Sequence, residues 1–422
     1  MNSTAEKNEY KSGYKKTELG WIPKGWNIAK LENLGSFSKG KGIRKDEVML
    51  NGYPCIRYGE IYKDFNFIVK KTHSFINCES AKNSEKIKRN DILFTGSGEK
   101  REEIGKAVAY MNDQEAYAGG DIIIFTPEQN AIGSYFLSYY LNTEGRKYLN
   151  KLGQGDSIVH IYQSQIGLIN VILPPIQEQE KIVQILTTWD CAIDKTEKLL
   201  KTKQIQKKTI MQILLTEKKR FIQFAEQKWR KLTIGDIFAE RKETSKDIEK
   251  FSLFSLTIAK GLTEKTERYE RSFLLKNKEE NQYRLVYPND ILYNPMNIRF
   301  GAIARSKIDA VVCVSAYYSV MQLTKNDFNI IFFEYLFKSQ KLFNLYESVA
   351  TGSLLEKKRV HLSEFLKLNI NCPPPEEQQK IAAVLDGCDK EIELLNKQLE
   401  ALKEQKKGLM QKLLTGQIRV KQ

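Results

Sequence analysis

The stretch "PPIQEQEKIV" at residues 174–183 is written again as "PPPEEQQKIA" at residues 373–382, 199 positions later. The match runs on without a gap. Ile182, Leu186, Asp190, Ile193, Leu200, Lys207, Met211, Gln212 and Leu214 fall on Ile381, Leu385, Asp389, Ile392, Leu399, Lys406, Met410, Gln411 and Leu413. Such a run at one fixed offset is an internal duplication, and it sets the frame for the rest of the chain.

In both copies the prolines end an apolar extended segment, "LINVIL" (168–173) in one and "KLNINC" (367–372) in the other, and leave a helix free to start. Glu178 and Glu377 then lie at the positive end of that helix. In the second copy the apolar positions step by four and three through Ile381, Leu385, Cys388, Ile392, Leu395, Leu399 and Leu402 to Lys406, Leu409 and Leu413. A seam of that period over five heptads predicts a coiled coil. The first copy holds the same frame with Ile182, Leu186, Trp189, Ile193, Thr196, Leu200, Lys203, Lys207, Ile210 and Leu214. Each helix should run about 39 residues, roughly 58 Å at the rise of an α-helix. Two equivalent amphipathic helices in one chain predict mutual pairing, and an antiparallel pair would carry the preceding globular parts to opposite ends of a spacer. Lys207 and Lys406 interrupt the seam at the same register, either fixing alignment or snorkelling to water.

About 150 residues precede each helix, and these halves align more weakly. "NDILF" (90–94) matches "NDILY" (289–293) at the same offset, "GKAVA" (105–109) resembles "GAIAR" (301–305), and Trp26 with "KLENLGSF" resembles Trp229 with "KLTIGDIF". The shared pieces read as strands and turns, whereas the stretches between them differ. Two heads on one frame with unlike surfaces suggest two different ligands of one kind.

Composition narrows the class. The 422 residues are 41% hydrophobic, enough for a core in each half, and exceed one ordinary core. The longest apolar runs, "DIIIF" (121–125) and "AVVCV" (310–314), are strand-sized, and the polar start lacks a signal-peptide core, so a cytoplasmic protein without membrane contact is expected. Six cysteines without a CxxC pair and three scattered histidines support neither a metal centre nor a disulfide framework. A formal charge of +15 points to an anionic partner, with nucleic acid foremost.

With these residues in view, the chain resembles the specificity subunit (HsdS) of Type I restriction-modification systems. The resemblance spans essentially the whole sequence. It is carried by "KKTELGWIPKGW" (15–26), "LPPIQEQEKI" and "CPPPEEQQKI", and the helix ends "QILLT" and "QKLLTG"; the first end, "LLTEKK", lacks the glycine of the second. It implies an α+β fold with two target-recognition domains separated by a long antiparallel two-helix coiled coil, in an internal pseudo-twofold repeat. The corresponding division is 1–172 for the first recognition domain with an arm at 1–25, 173–221 for the first spacer helix, 222–371 for the second domain and 372–422 for the second helix. The implied function is a non-catalytic reader of double-stranded DNA. Each domain would take one half of a bipartite asymmetric target, with the helices setting the spacing and docking two methyltransferase subunits. Restriction subunits could complete the assembly. S-adenosylmethionine, ATP and magnesium would belong to partner subunits, and none to this chain.

Loops that combine side chains able to hydrogen-bond base edges with cations for phosphate are the candidate readers; glycine, where present, allows close approach, and Arg or Asn pairs bidentately with purines. In the first head these supply Lys39, Lys41, Arg44, Lys45, Lys100 and Arg101; in the second, Arg241, Lys242, Asn297, Arg299, Lys357, Lys358 and Arg359. By resemblance and duplication, Pro174, Pro175, Glu178 and Gln179 with Pro373, Pro374, Glu377 and Gln378 are the candidate methyltransferase-docking residues; helix initiation alone is the other reading.

No catalytic residue is expected. "NPM" (294–296) lacks the second proline and the aromatic residue of a base-holding methyltransferase element. "GSGEKREEIGK" (96–106) lacks the first glycine of a phosphate loop. The histidines do not sit beside a serine or cysteine in a way that suggests a nucleophile, and read as ordinary core or surface residues. Two other classes remain at this stage: a self-sufficient methyltransferase, which would bind S-adenosylmethionine unaided, and a coiled-coil protein adaptor, which would bind no DNA.

Overall fold

The computed structural model describes residues 12–98, 104–155, 159–264, 282–354 and 357–420. Two helices dominate, Ile176–Leu214 and Pro375–Leu414, each starting directly after its prolines. The chain divides into two compact units, Met1–Thr196 with Gln398–Gln422, and Glu197–Lys397. These units cut across the linear division read from the sequence, because a segment of each long helix belongs to each unit.

In the first unit the strands Gly35–Lys39, Ile122–Pro127, Ile92–Thr95, Ala107–Tyr110 and Ile68–Val69 form one sheet in that order. Ser74–Ile76, Tyr53–Ile56, Ala116–Ala118 and Glu85–Ile87 form a second. The apolar run at 121–125 supplies the second strand of the first sheet, flanked on both sides, and its Ile122, Ile124 and Phe125 are essentially sealed from water. A separate antiparallel pair, Asn27–Lys30 with Asn170–Leu173, joins the start of the head to the strand that leads into the first long helix. Ile182 and Leu186 of that helix and Met410, Leu413 and Leu414 of the other pack into the same core as Trp26, Phe136 and Tyr139.

The second unit repeats the scheme, with fewer strands among the described residues. Phe238–Glu240, Ser319–Leu323, Ile291–Tyr293 and Ile303–Arg305 make a four-stranded sheet, and Thr244–Ser245, Tyr283–Val286 and Val312–Ser315 a three-stranded one. Arg230–Thr233 pairs with Asn369–Cys372, 199 positions beyond the matching strand of the first unit. Ile381, Ala382 and Leu385 enter this core with the other helix's Ile210, Met211 and Leu214.

Within the first unit Glu178 meets Arg419 and Asp190 meets Lys406; within the second, Lys203 meets Glu391 and Lys207 meets Asp389. One number rises as the other falls, so the helix segments run antiparallel in both units. Every seam position named above is buried or half-buried. The missing glycine does not change the turn that ends the first helix: Glu217 adopts a left-handed φ of 59°, at the place where Gly416 has 72°. Asn90 and Asn289, before the shared "DIL", are likewise left-handed at 78° and 68°, a conformation asparagine tolerates.

Candidate nucleic-acid interface

In the first head, Lys39 ends an edge strand and the chain then enters a tightly held loop. Gly40 donates to the Ile122 carbonyl at 2.8 Å, Lys41 to that of Ala118 at 3.1 Å, and Gly120 to that of Gly42 at 3.0 Å. A Cβ on Gly40 would lie 2.1 Å from the Gly119 oxygen, so this approach requires glycine. Ile43 takes φ 57°, rare for a β-branched residue, and its side chain is buried beside Cys55, Ile76 and Ala81. This apolar anchor fixes the backbone from which Lys39, Lys41, Arg44 and Lys45 project into solvent. Lys41 reaches Glu85 only at 3.7 Å with a mostly exposed side chain, a pair of little energetic weight. Lys100 and Arg101 lie outside the described residues.

The second head treats its basic residues differently. Lys242, Asn297, Lys357 and Arg359 are exposed, and half-buried Lys358 pairs with Glu347 at 3.2 Å. Arg241 and Arg299 do not sit as base-reading arginines must. Arg241 donates twice to Asp290, at 2.5 and 3.0 Å, once to Glu243 at 3.0 Å, and its guanidinium lies 4.2 Å from the Tyr287 ring centre. The Arg299 side chain is 4% exposed and donates to Glu347 at 2.6 Å. Both side chains are held inside the fold, where Arg241 compensates Asp290, whose carboxyl burial pushes above its ordinary value. Glu347 binds both Arg299 and Lys358 and thereby draws together loops that lie far apart in sequence. Sequence reasoning missed Glu347, because a lone surface glutamate carries no signal.

The duplicated residues after the prolines also differ from expectation. Glu178, Gln179, Glu377 and Gln378 are at most 2% exposed and cannot themselves form a docking surface. Glu178 accepts from Trp26 Nε1 at 2.9 Å and from Arg419 at 2.6 and 2.8 Å; Glu377 accepts from Trp229 Nε1 at 2.9 Å and from Arg220 at 3.0 and 2.6 Å. Gln179 accepts from the Gly133 amide and donates to the Pro174 carbonyl, and Gln378 does the same with Asn329 and Pro373. Gly133 and Asn329 cap the head helices Ser134–Leu141 and Ile330–Phe337, so each glutamine ties a head helix to the start of a long one. Burial explains the repetition: a desolvated polar side chain needs every partner in place. Pro174 and Pro373 are buried too, Pro374 is half-buried, and Pro175 alone of the eight is exposed.

Further along, the two seam lysines find their purpose. Lys406 bonds Asp190 and lies over the Tyr139 and Phe67 rings; Lys207 bonds Asp389 and lies over Tyr335. The tyrosines, from the two head helices, donate to the same aspartates at 2.5 and 2.7 Å. Burial, then the neighbouring carboxylate, hold both phenols well above their usual value, so they stay donors. Each network joins a head to both helix segments of its unit.

Among the described residues no group of His, Cys, Asp and Glu could hold a metal ion, and no helix is long and apolar enough to cross a membrane. Burial pushes the thiols of Cys55 and Cys372 up to about 12, so neither is a nucleophilic thiolate near neutral pH.

Comparison with known proteins places this geometry. The Type I restriction modification DNA specificity domain matches twice, over residues 23–211 and 226–404. The type I restriction enzyme MjaX specificity subunit of Methanocaldococcus jannaschii is 26% identical over 97% of both chains, and the MjaVIII specificity subunit of that organism is 24% identical over 95% of this chain and 94% of its own. The EcoKI specificity subunit of Escherichia coli is 25% identical over about half of each, 52% and 50%. The crystal structure of a Type I restriction-modification S subunit from M. genitalium superposes with a TM-score of 0.57 at 14% identity, covering 92% of this chain and 96% of that one, which shows a shared fold.

Proposed function

Because the chain belongs to the Type I restriction modification DNA specificity domain family and carries that domain twice, it is the non-catalytic specificity subunit of such a system, and we propose that each head reads one half of a split DNA target. Subunits of this kind bind DNA and assemble with methyltransferase subunits. The observation that carries the proposal is the pairing of a repeated frame with unlike loops: the helix starts, tryptophan clamps and lysine networks recur, while the residues offered to solvent do not. One frame can position two readers, and different side chains make them read different bases.

In this reading Lys39, Lys41, Arg44 and Lys45 contact DNA from the first head and Lys242, Asn297, Lys357, Lys358 and Arg359 from the second, with Lys100 and Arg101 as further contacts. Arg241 and Arg299 shape the loops. The twofold repeat offers two equivalent seats, so two methyltransferase subunits bind, around Pro175 and its counterpart Pro374 and with the buried Glu and Gln residues fixing the local backbone. The long helices set the distance between half-targets. The cofactors S-adenosylmethionine, ATP and magnesium are held by partner subunits, restriction subunits join the same assembly, and the complex works in the cytoplasm.

The test is to map methylated bases in DNA from cells expressing this chain with its methyltransferase, then exchange residues 27–170 for the corresponding head of a relative. One half of the target should change and the other persist. Loss of both halves would refute independent heads, and a spacer unchanged after insertion into both long helices would refute the ruler.

A further inference from the structure

Near the end of each head two residues exchange the same pair of backbone hydrogen bonds. In the first, Gln154 donates to the His160 carbonyl at 2.9 Å and His160 to that of Gln154 at 2.8 Å; in the second, Thr351 and Arg359 exchange bonds of 3.0 and 2.8 Å. His160 and Arg359 stand 199 positions apart, in register with the duplicated helices. The residues that follow, Ile161 and Val360, are buried. Their amides donate to the carbonyls of Gly96 at 3.0 Å and Pro295 at 2.9 Å, again 199 apart. A reciprocal pair of bonds, a third bond from the next amide and a buried next residue thus fix the backbone at positions 160 and 359 in the same way, and the two side chains differ.

Arg359 is exposed, its backbone is immobilised from both sides, and its guanidinium lies 5.3 Å from the ring centre of Tyr317, itself 38% exposed. Arg359 also hydrogen-bonds the Tyr317 side chain, and an arginine held by a ring contact and a hydrogen bond on one side presents its remaining fork donors in a fixed direction, the geometry that matches the O6 and N7 acceptors of guanine. Preorganisation removes the ordering cost that a free surface lysine would meet on binding. His160, half-buried on the same backbone, offers a single ring edge and so a different pairing.

We propose that position 160 in the first head and position 359 in the second are matched base-reading positions, with Arg359, held beside Tyr317, reading a guanine of the second half-target and His160 a base of the first. This rests on the reading of the two heads as DNA recognition domains.

The experiment uses the full chain assembled with its methyltransferase subunit and duplex libraries in which each half-target is randomised in turn. Arg359→Ala should weaken binding to the preferred duplex by roughly 10- to 100-fold and flatten the preference at one base pair of the second half, leaving the first half untouched. His160→Arg should move the preference at one base pair of the first half towards guanine. Tyr317→Leu, which removes the aromatic face, should weaken the same single preference that Arg359→Ala abolishes. Equal weakening on every sequence would make Arg359 a phosphate contact and overturn the proposal, as would altered preference in both halves or in neither. A wild-type complex with no preference in either half would instead refute the recognition reading itself. Thermal melting of each variant separates loss of fold from loss of reading, and His160→Arg decides the matter from the other head if an Arg359 variant fails to fold.

Discussion

Glu178 and Glu377 are clamped by the same two partners, yet Arg419 in the first clamp keeps 42% of its side chain exposed and Arg220 in the second only 14%. The seam lysines invert that order: Lys406 of the first unit is 7% exposed and Lys207 of the second 21%. Two copies of one device have therefore drifted in how much water each part sees, while their hydrogen bonds stayed the same. The comparison teaches that the bonding pattern belongs to the duplicated frame, and that the weight of each bond depends on the surroundings its own head provides. Removing one partner of a buried ion pair strands the other, at a cost that falls as water gains access.

The sharpest way to break the comparison is to neutralise the clamps. Glu377→Ala should destabilise the second unit by about 3–5 kcal/mol, since Arg220 and Trp229 lose a shared acceptor out of solvent, and Glu178→Ala should cost the first unit visibly less. Hydrogen exchange followed separately in each unit measures this, and equal losses would show that exposure does not set the weight. Next come the seam networks: Lys406→Met should cost about 2–3 kcal/mol and Lys207→Met about half as much, with double-mutant cycles against Asp190 and Asp389 giving couplings in the same order.

A smaller effect separates the two helix ends. Glu217→Gly relieves a left-handed glutamate and should stabilise by about 1 kcal/mol. Gly416→Ala should destabilise by more than that, because its Cβ would also come within 2.5 Å of Pro23 Cδ. Denaturant midpoints of the corresponding transitions report both. Smallest is a pH effect confined to the second unit. Burial acts to raise the Glu334 carboxyl, but the Lys338 and Lys307 ammonium groups and Arg305 overcome it and leave it below its ordinary value. A depressed carboxyl contributes stability that is present above its unfolded value near 4.3 and lost as pH falls through the folded one. Melting temperature between pH 6 and 3 should therefore fall less steeply in Glu334→Gln than in the parent chain.

How far the sequence could be read varies by residue. The heptad seam was legible because apolar spacing reports directly on which side of a helix is covered. The lysines in that seam were visible as exceptions, but their partners were not: Asp190 and Asp389 match at the shared offset without showing that they face Lys406 and Lys207 across the helix pair. Arg220 and Arg419 also stand 199 apart, so the repeat extends past the helix ends to the arginines of the clamps. Glu178 and Glu377 are visible as a repeat, but their burial is not, since a carboxylate near a helix start looks the same whether it faces water or a tryptophan. Among the loops, "RKE" and "IRF" advertise arginines that the fold keeps for itself.

By itself, then, the sequence determined the duplication, the two long helices and their period, and the strands shared by the heads, because these follow from local spacing and one fixed offset. Tertiary structure alone decided which polar groups are buried, which arginines are engaged by carboxylates and which side chains are left to face a ligand. Those outcomes depend on what packs opposite each residue, and desolvation is a property of neighbours that a linear pattern does not carry.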